Sequence, residues 1–171
     1  TALAKVYDGD DAATINDNSL TLVTPIGGDD ISLTAVAAFS DKNVAADKVV
    51  NLAGSSLAGS DAGNYTLSFA GAPTTTADIT AKELTVSGAA AQNKVYDSTT
   101  DAVISGATLE GVVASEEVTL ANHTSGTFAQ EHIGTGIAVA TAPMTIAGAD
   151  IANYTLTQPT GLAANITALE L

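Results

Sequence analysis

The sequence predicts an all-β chain built as two tandem sandwich domains. Three observations carry that expectation. The chain repeats itself: Lys5-Val6-Tyr7-Asp8 returns as Lys94-Val95-Tyr96-Asp97, 89 positions later. Its apolar residues alternate with polar ones at period two, the mark of a half-buried strand. Its turn-forming residues separate short runs at intervals of roughly 8–12 residues, the spacing of sandwiches and small barrels.

The repeat continues along the chain. Phe39 returns as Phe128 and Asn64-Tyr65-Thr66-Leu67 as Asn153-Tyr154-Thr155-Leu156 at the same offset of 89. Asp30-Ile31-Ser32-Leu33 maps onto Glu117-Val118-Thr119-Leu120, and Asp78-Ile79-Thr80 onto Asn165-Ile166-Thr167, at an offset of 87. Two small indels therefore separate the copies. The period is too long for a solenoid repeat of roughly 20–50 residues and suits a whole domain. The expected modules are residues 1–82 and 83–171.

Individual strands follow from alternation. Ile31 and Leu33 alternate with Asp30, Ser32 and Thr34, and Val118 and Leu120 do the same in the second copy. Tyr65, Leu67 and Phe69 alternate with Thr66 and Ser68, and Tyr154 and Leu156 follow suit. Leu84 and Val86 alternate with Glu83 and Thr85. Thr is abundant, as suits a pleated surface with one wet face. Turns are expected at Asp8-Gly9, Gly27-Gly28-Asp29, Ala53-Gly54-Ser55, Gly59-Ser60 and Gly106. The Ala-rich runs at 35–38 and 89–91 carry no apolar helical stripe, so no long helix is expected. The join between copies, Ala77 to Val86, holds neither Gly nor Pro and reads as strand running into strand rather than a flexible tether. A closely coupled, extended pair is the expectation.

Composition narrows the function. Nineteen acidic residues face five Lys, for a net charge of −14, and both halves share the excess. Such a surface repels a phosphate backbone and an anionic membrane, so neither nucleic acid nor direct membrane contact is expected. It keeps long exposed polymers soluble and mutually repelling. No Cys is present, which removes disulfides and thiolate metal sites. Small extracellular animal domains are commonly disulfide-rich, so a cysteine-free β repeat points to a bacterial surface protein. No apolar run approaches a membrane span, and no signal peptide is visible. Thr1 and the closing Ala168-Leu169-Glu170-Leu171, which repeats Ala81-Lys82-Glu83-Leu84, suggest a piece of a longer array that stops as a third module begins.

Asp61-Ala62-Gly63-Asn64-Tyr65-Thr66-Leu67 is the sharpest local signal, with Asp150 to Leu156 as its counterpart. It resembles the turn into strand F of immunoglobulin-like domains, where a tyrosine corner folds its hydroxyl onto upstream backbone. Tyr65 and Tyr154 are the corner candidates. Leu67 and Leu156 take the inward slot that antibodies give to Cys. The preferred fold is therefore two immunoglobulin-like β-sandwiches, with β-grasp-like modules as the alternative.

Lys5-Val6-Tyr7-Asp8-Gly9 and Lys94-Val95-Tyr96-Asp97-Ser98, with Gly27-Gly28-Asp29-Asp30, Phe39 to Val44 and Ala77 to Thr80, resemble the YDG-type repeats of large bacterial surface and secreted proteins. The second copy departs where Gly9 becomes Ser98, Gly27-Gly28 becomes Ala114-Ser115, and Asp41-Lys42-Asn43 becomes Gln130-Glu131-His132. The resemblance implies an extracellular adhesin or exoprotein array on the bacterial cell surface, with no catalytic residues to transfer.

Calcium is the chemical alternative. Asp8, Asp29, Asp30 and Asp61, with counterparts Asp97, Glu116, Glu117 and Asp150, are hard oxygen donors of the right type. Asp10 and Asp11 become Thr99 and Thr100, and no stretch fits an EF-hand loop. The plainer reading is that acidic turn residues bond local backbone. His123 and His132 occur only in the second copy and read as surface residues. No nucleophile elbow, Cys/His pair or phosphate loop is present, so an enzyme is not expected and no cofactor is assigned. Four Asn-x-Thr sequons begin at Asn64, Asn122, Asn153 and Asn165 and arise naturally from Thr-rich strands. The expected function is a structural spacer holding a distal binding region away from the cell, its partners being neighbouring modules, with a contribution to a biofilm matrix. The rival is an adhesive module that binds glycan or another surface partner directly.

Overall fold

The structure, a computed structural model, describes residues 1–16, 20–23 and 25–171. The chain is almost entirely strand and turn, and it divides into two compact units, Thr1–Ala81 and Lys82–Leu171. Among the described residues helix is confined to single 3-10 turns at Ala62–Asn64 and Ile151–Asn153.

The first unit contains β1 (Lys5–Val6), β2 (Ala12–Ala13), β3 (Ser32–Thr34), β4 (Ala37–Phe39), β5 (Ala45–Asn51), β6 (Ser56–Ala58) and β7 (Thr75–Thr80). Its main sheet runs β1-β7-β5-β4-β2, and β3 pairs with β6 as a separate ribbon. β1 and β7 are parallel, with Lys5 opposite Ile79 and Val6 opposite Thr80. Tyr7, Phe39, Val50 and Ile79 are each at most 2 % exposed and form its core. Two aromatic rings among aliphatic neighbours fill a small domain that has no disulfide.

The second unit contains β8 (Lys82–Ser87), β9 (Ala90–Ala91), β10 (Lys94–Val95), β11 (Asp101–Ser105), β12 (Thr108–Glu110), β13 (Thr119–Ala121), β14 (Ser125–Phe128), β15 (Gly134–Thr141), β16 (Thr145–Ala147), β17 (Tyr154–Thr157) and β18 (Ala163–Thr167). The order β10-β18-β15-β14-β11-β9 repeats the main sheet of the first unit, and β13-β16 repeats the β3-β6 ribbon. β10 and β18 are again parallel. A third sheet, β12-β8-β17, has β8 at its centre, antiparallel to β12 and parallel to β17. Ile104, Phe128, Met144 and Ile166 are the most deeply buried of the main cluster, and Val86, Leu120 and Leu156 pack against it from the smaller sheets. Leu84, in the middle of β8, is 0 % exposed.

The alternation expected at Leu84 and Val86 holds: the pattern along β8 is buried or half-buried at 82, 84 and 86 and exposed at 83, 85 and 87. The expected strand at Tyr65, Leu67 and Phe69 does not form in the first unit, although Tyr154–Thr157 forms it in the second. The reason is pairing. β17 forms its ladder with β8, and among the described residues no strand of the first unit pairs with residues 65–69. Alternation makes a segment ready for a sheet, but the ladder bonds must come from a neighbour.

The indels and substitutions between copies preserve backbone shape. Gly9 and Ser98 both have positive φ, at 91° and 63°, as do Gly28 and Ser115, at 104° and 70°. Asp47 (φ 51°) and Gly136 (φ 63°) occupy the same bulge, where β5 and β15 each shift register. The Asp47 N–H is held by Asp78 and the Gly136 N–H by Asn165, at 2.9 and 2.8 Å. Gly88 and Gly106 need their missing side chains for another reason. A Cβ on Gly88 would lie 2.6 Å from the Gly106 carbonyl oxygen, so the chain can cross there only as glycine on glycine.

Candidate functional site

Two constellations recur in both units, and they absorb most of the residues singled out by the sequence. The first is the Lys-Val-Tyr-Asp loop. Tyr7 is 1 % exposed, and its N–H donates to the Thr80 carbonyl at 2.9 Å, extending the parallel pairing. Lys5 folds under the loop, its Nζ 2.7 Å from both Asp8 and Asp10 and 5.8 Å from the centre of the Phe39 ring. Lys94 does the same with Asp97 at 2.7 Å and the Phe128 ring at 5.7 Å. Where Asp10 is replaced by Thr99, Lys94 bonds the Thr99 carbonyl and hydroxyl, both at 2.9 Å. Burial alone would lower the Lys5 pKa, but the bonds to Asp10 and Asp8 outweigh it and the net shift is upward. Asp97 is held down to about 2 by Lys94 first and by the Thr99 hydroxyl and N–H after it. Asp8 and Asp97 are thus counter-ions of a lysine clamp. The packing of that lysine over the Phe ring was not legible in the sequence, because residues 5 and 39 are unconnected by any local pattern.

The second constellation is a tyrosine clamp. The Tyr65 hydroxyl donates to Asp29 at 2.6 Å and accepts from the Ile26 N–H at 3.0 Å. The Tyr154 hydroxyl donates to Glu116 at 2.6 Å and accepts from the Val113 N–H at 3.1 Å. Hydroxyl and backbone do meet, but the backbone partner lies 39 or 41 residues upstream, not the few residues of an immunoglobulin corner. The bond to Asp29 raises the Tyr65 pKa, against an opposing pull from the Ile26 N–H. Asp61 and Asp150 brace the same loop: each accepts the N–H of Asp30 or Glu117, at 2.8 and 2.9 Å. Asp30 in turn accepts the N–H and hydroxyl of Ser60 at 3.1 and 3.2 Å.

The calcium candidates therefore fall into separate groups within each unit. Asp8 and Asp97 belong to the lysine clamps, while Asp29, Asp30 and Asp61, like Glu116, Glu117 and Asp150, brace the tyrosine loops. Among the described residues no three acidic or imidazole side chains converge as a metal-holding group. His132 is exposed, whereas His123 is half-buried with its Nδ1 shielded and without a hydrogen-bond partner among the described residues. Among the described residues no helix is long and apolar enough to cross a membrane.

One further feature is present in the first unit. A cavity of about 450 Å³ lies against Leu22, Leu33, Leu57, Tyr65, Leu67 and Phe69. The corresponding positions of the second unit are Leu109, Leu120, Ile146, Tyr154 and Leu156, with Gln158 at the place of Phe69.

The sequence profile of the YDG domain matches residues 1–77 and again residues 80–161. No curated protein and no solved structure matches the chain.

Proposed function

We infer the function from one premise: this chain belongs to the YDG domain family. We propose that it is a non-catalytic spacer, a stalk segment of a bacterial extracellular adhesin or exoprotein that extends a distal binding region from the cell and contributes to a biofilm matrix. In this reading each module is an immunoglobulin-like sandwich, the main sheet forming one layer and the smaller sheets the other. Its partners are neighbouring modules of the same polypeptide.

The observation that carries the reading is connectivity. The last strand of the first unit ends at Thr80 and the first strand of the second begins at Lys82, so one residue, Ala81, separates them. A tether of that length leaves no slack chain between modules. Strand direction supports the same role. β1 lies parallel to β7, and β10 lies parallel to β18. In the first unit these are the first and last strands, so tension applied to its two ends pulls them lengthwise past each other. In the second unit β8 takes the N-terminal load, and its partner β17 is likewise parallel to it. The ladder bonds then share the load, instead of opening one at a time.

The motif residues support it too. Lys5, Tyr7, Asp8, Tyr65 and their counterparts are engaged in holding their own module together. A spacer binds no glycan. Probing an immobilised glycan panel with the chain should give no signal above that of an unrelated acidic protein. Saturable binding that free glycan competes away would favour the adhesive-module reading instead.

The calcium-stiffened variant of the adhesive reading draws on the carboxylates around Tyr65 and Tyr154. Melts in EDTA and in millimolar calcium separate the two. A calcium-specific rise of about 2.7 kcal/mol at a hundredfold excess over Kd marks a site. A small rise shared with magnesium marks only screening of the −14 charge.

A further inference from the structure

We propose that the apolar groove of the first unit is the seat of a β-strand with the alternation of Lys82–Ser87, delivered by the same polypeptide directly ahead of the module. The two units supply the argument between them. In the second unit the central strand β8 is bonded on both sides: Leu109 faces Val86 across one ladder, and Leu156 faces Leu84 across the other. Leu84 is fully buried there and Val86 packs on the main core. β12 and β17 pair with no strand other than β8 among the described residues, so the three form one sheet or none.

In the first unit the residues corresponding to β12 and β17 are 21–23 and 65–68. Both segments lie outside every sheet of the described residues. Between them is the cavity of about 450 Å³, lined by Leu22 and Leu67, the counterparts of Leu109 and Leu156. Phe69 at its rim is 39 % exposed. The rest of the scaffold matches. The Tyr65 clamp that shapes one wall has the same bonds as the Tyr154 clamp. The Ala2–Ile15 bridge stands where β9 pairs with β11, with Ala91 opposite Ile104. At the offset of 89, the Lys82–Ala89 segment falls on the eight positions immediately before Thr1. The occupant is therefore an extended segment with Leu and Val on one face and Thr, Ser and Glu on the other, entering from the N-terminal side. Strand addition of this kind takes affinity from the backbone ladder and register from the alternating side chains. It goes beyond the spacer role, since a module can require its opening strand whether or not the array is a stalk.

The test grafts a copy of Lys82–Ala89 ahead of Thr1 in the full chain. Hydrogen exchange should show the amides of residues 66–68 slowed roughly tenfold or more, as for a newly paired strand. The melting midpoint of the first unit should rise by about 10 °C. A control graft with aspartate at the copies of Leu84 and Val86 should do neither. Unchanged exchange at 66–68, or equal protection by the control graft, would overturn the proposal. So would concentration-dependent self-association of the ungrafted chain that disappears on removing Leu169–Leu171. That result would seat the tail of a second copy in the groove.

Discussion

Replacing Leu84 with Ala should unfold the second unit selectively. The substitution sits three residues beyond Ala81, the point of division, yet every ladder bond of β8 is made within the second unit. Leu84 is fully buried, so Leu84→Ala removes three carbons from a packed site. At about 0.8 kcal/mol per carbon the transfer loss is roughly 2.4 kcal/mol. The cavity left behind brings the total to roughly 3–4 kcal/mol, inside the usual range for such truncations. For a domain of this size that lowers Tm by roughly 12–32 °C. Hydrogen exchange followed by mass spectrometry reads the two units separately. Peptides from β15 and β18 should lose protection together, while those from β5 and β7 keep theirs. Equal loss in both units would mean that β8 belongs to a core shared by both, and an unchanged second unit would mean that the Leu84 site does not hold that unit's fold together.

Tyr154→Phe deletes a hydroxyl that bonds both Glu116 and the Val113 N–H in a residue only 6 % exposed, so urea melts should show a loss of roughly 1–3 kcal/mol with the m-value unchanged. An unchanged midpoint would show that the clamp contributes nothing. Ser98→Gly and Ser115→Gly each relieve a positive φ that the first unit meets with glycine, and each should stabilise the second unit by about 1 kcal/mol in the same assay. Destabilisation by either would mean the serine side chain holds its loop in a way the backbone does not require. Asp97 is depressed from 3.8 to about 2 by Lys94 and Thr99. The stability it confers is present above about pH 4, the unfolded value, and is lost as pH falls through about 2. A carboxyl NMR titration with its midpoint at the ordinary value would show the Lys94–Asp97 contact to be absent in solution.

Much of this arrangement was legible in the sequence because the signals are local. Ile31 and Leu33, Val118 and Leu120, and Leu84 and Val86 announce their strands through alternation, and β3, β13 and β8 lie where those pairs place them. Repetition of Lys-Val-Tyr-Asp revealed two modules without reference to any contact. Partner choice was not legible. Period two states which face of a strand is buried, and it is silent on what lies beside the strand. The parallel pairing of Lys5 with Ile79 spans 74 residues and leaves no local trace. For the same reason Tyr65 and Tyr154 could be read as bonding backbone, while Ile26 and Val113 could not be named as that backbone. Residues 65–69 show the limit most plainly. They carry the alternation of β17 and lie outside every sheet of the described residues, because a strand is a property of two segments. The Ser98 and Ser115 departures looked like losses of motif, yet both retain the positive φ of their glycine counterparts.

Pulling single molecules of this chain from their two ends tests the spacer reading most directly. The units contain 81 and 90 residues. At roughly 3.3–3.6 Å per residue, each should therefore release about 270–290 Å or 300–320 Å of chain, less its folded length. The account predicts two separate unfolding events of those sizes, each abrupt, as expected when the parallel pairs β1–β7 and β8–β17 are loaded lengthwise. A single event releasing the whole chain would contradict independent modules. Gradual extension at low force without discrete events would contradict a load-bearing stalk.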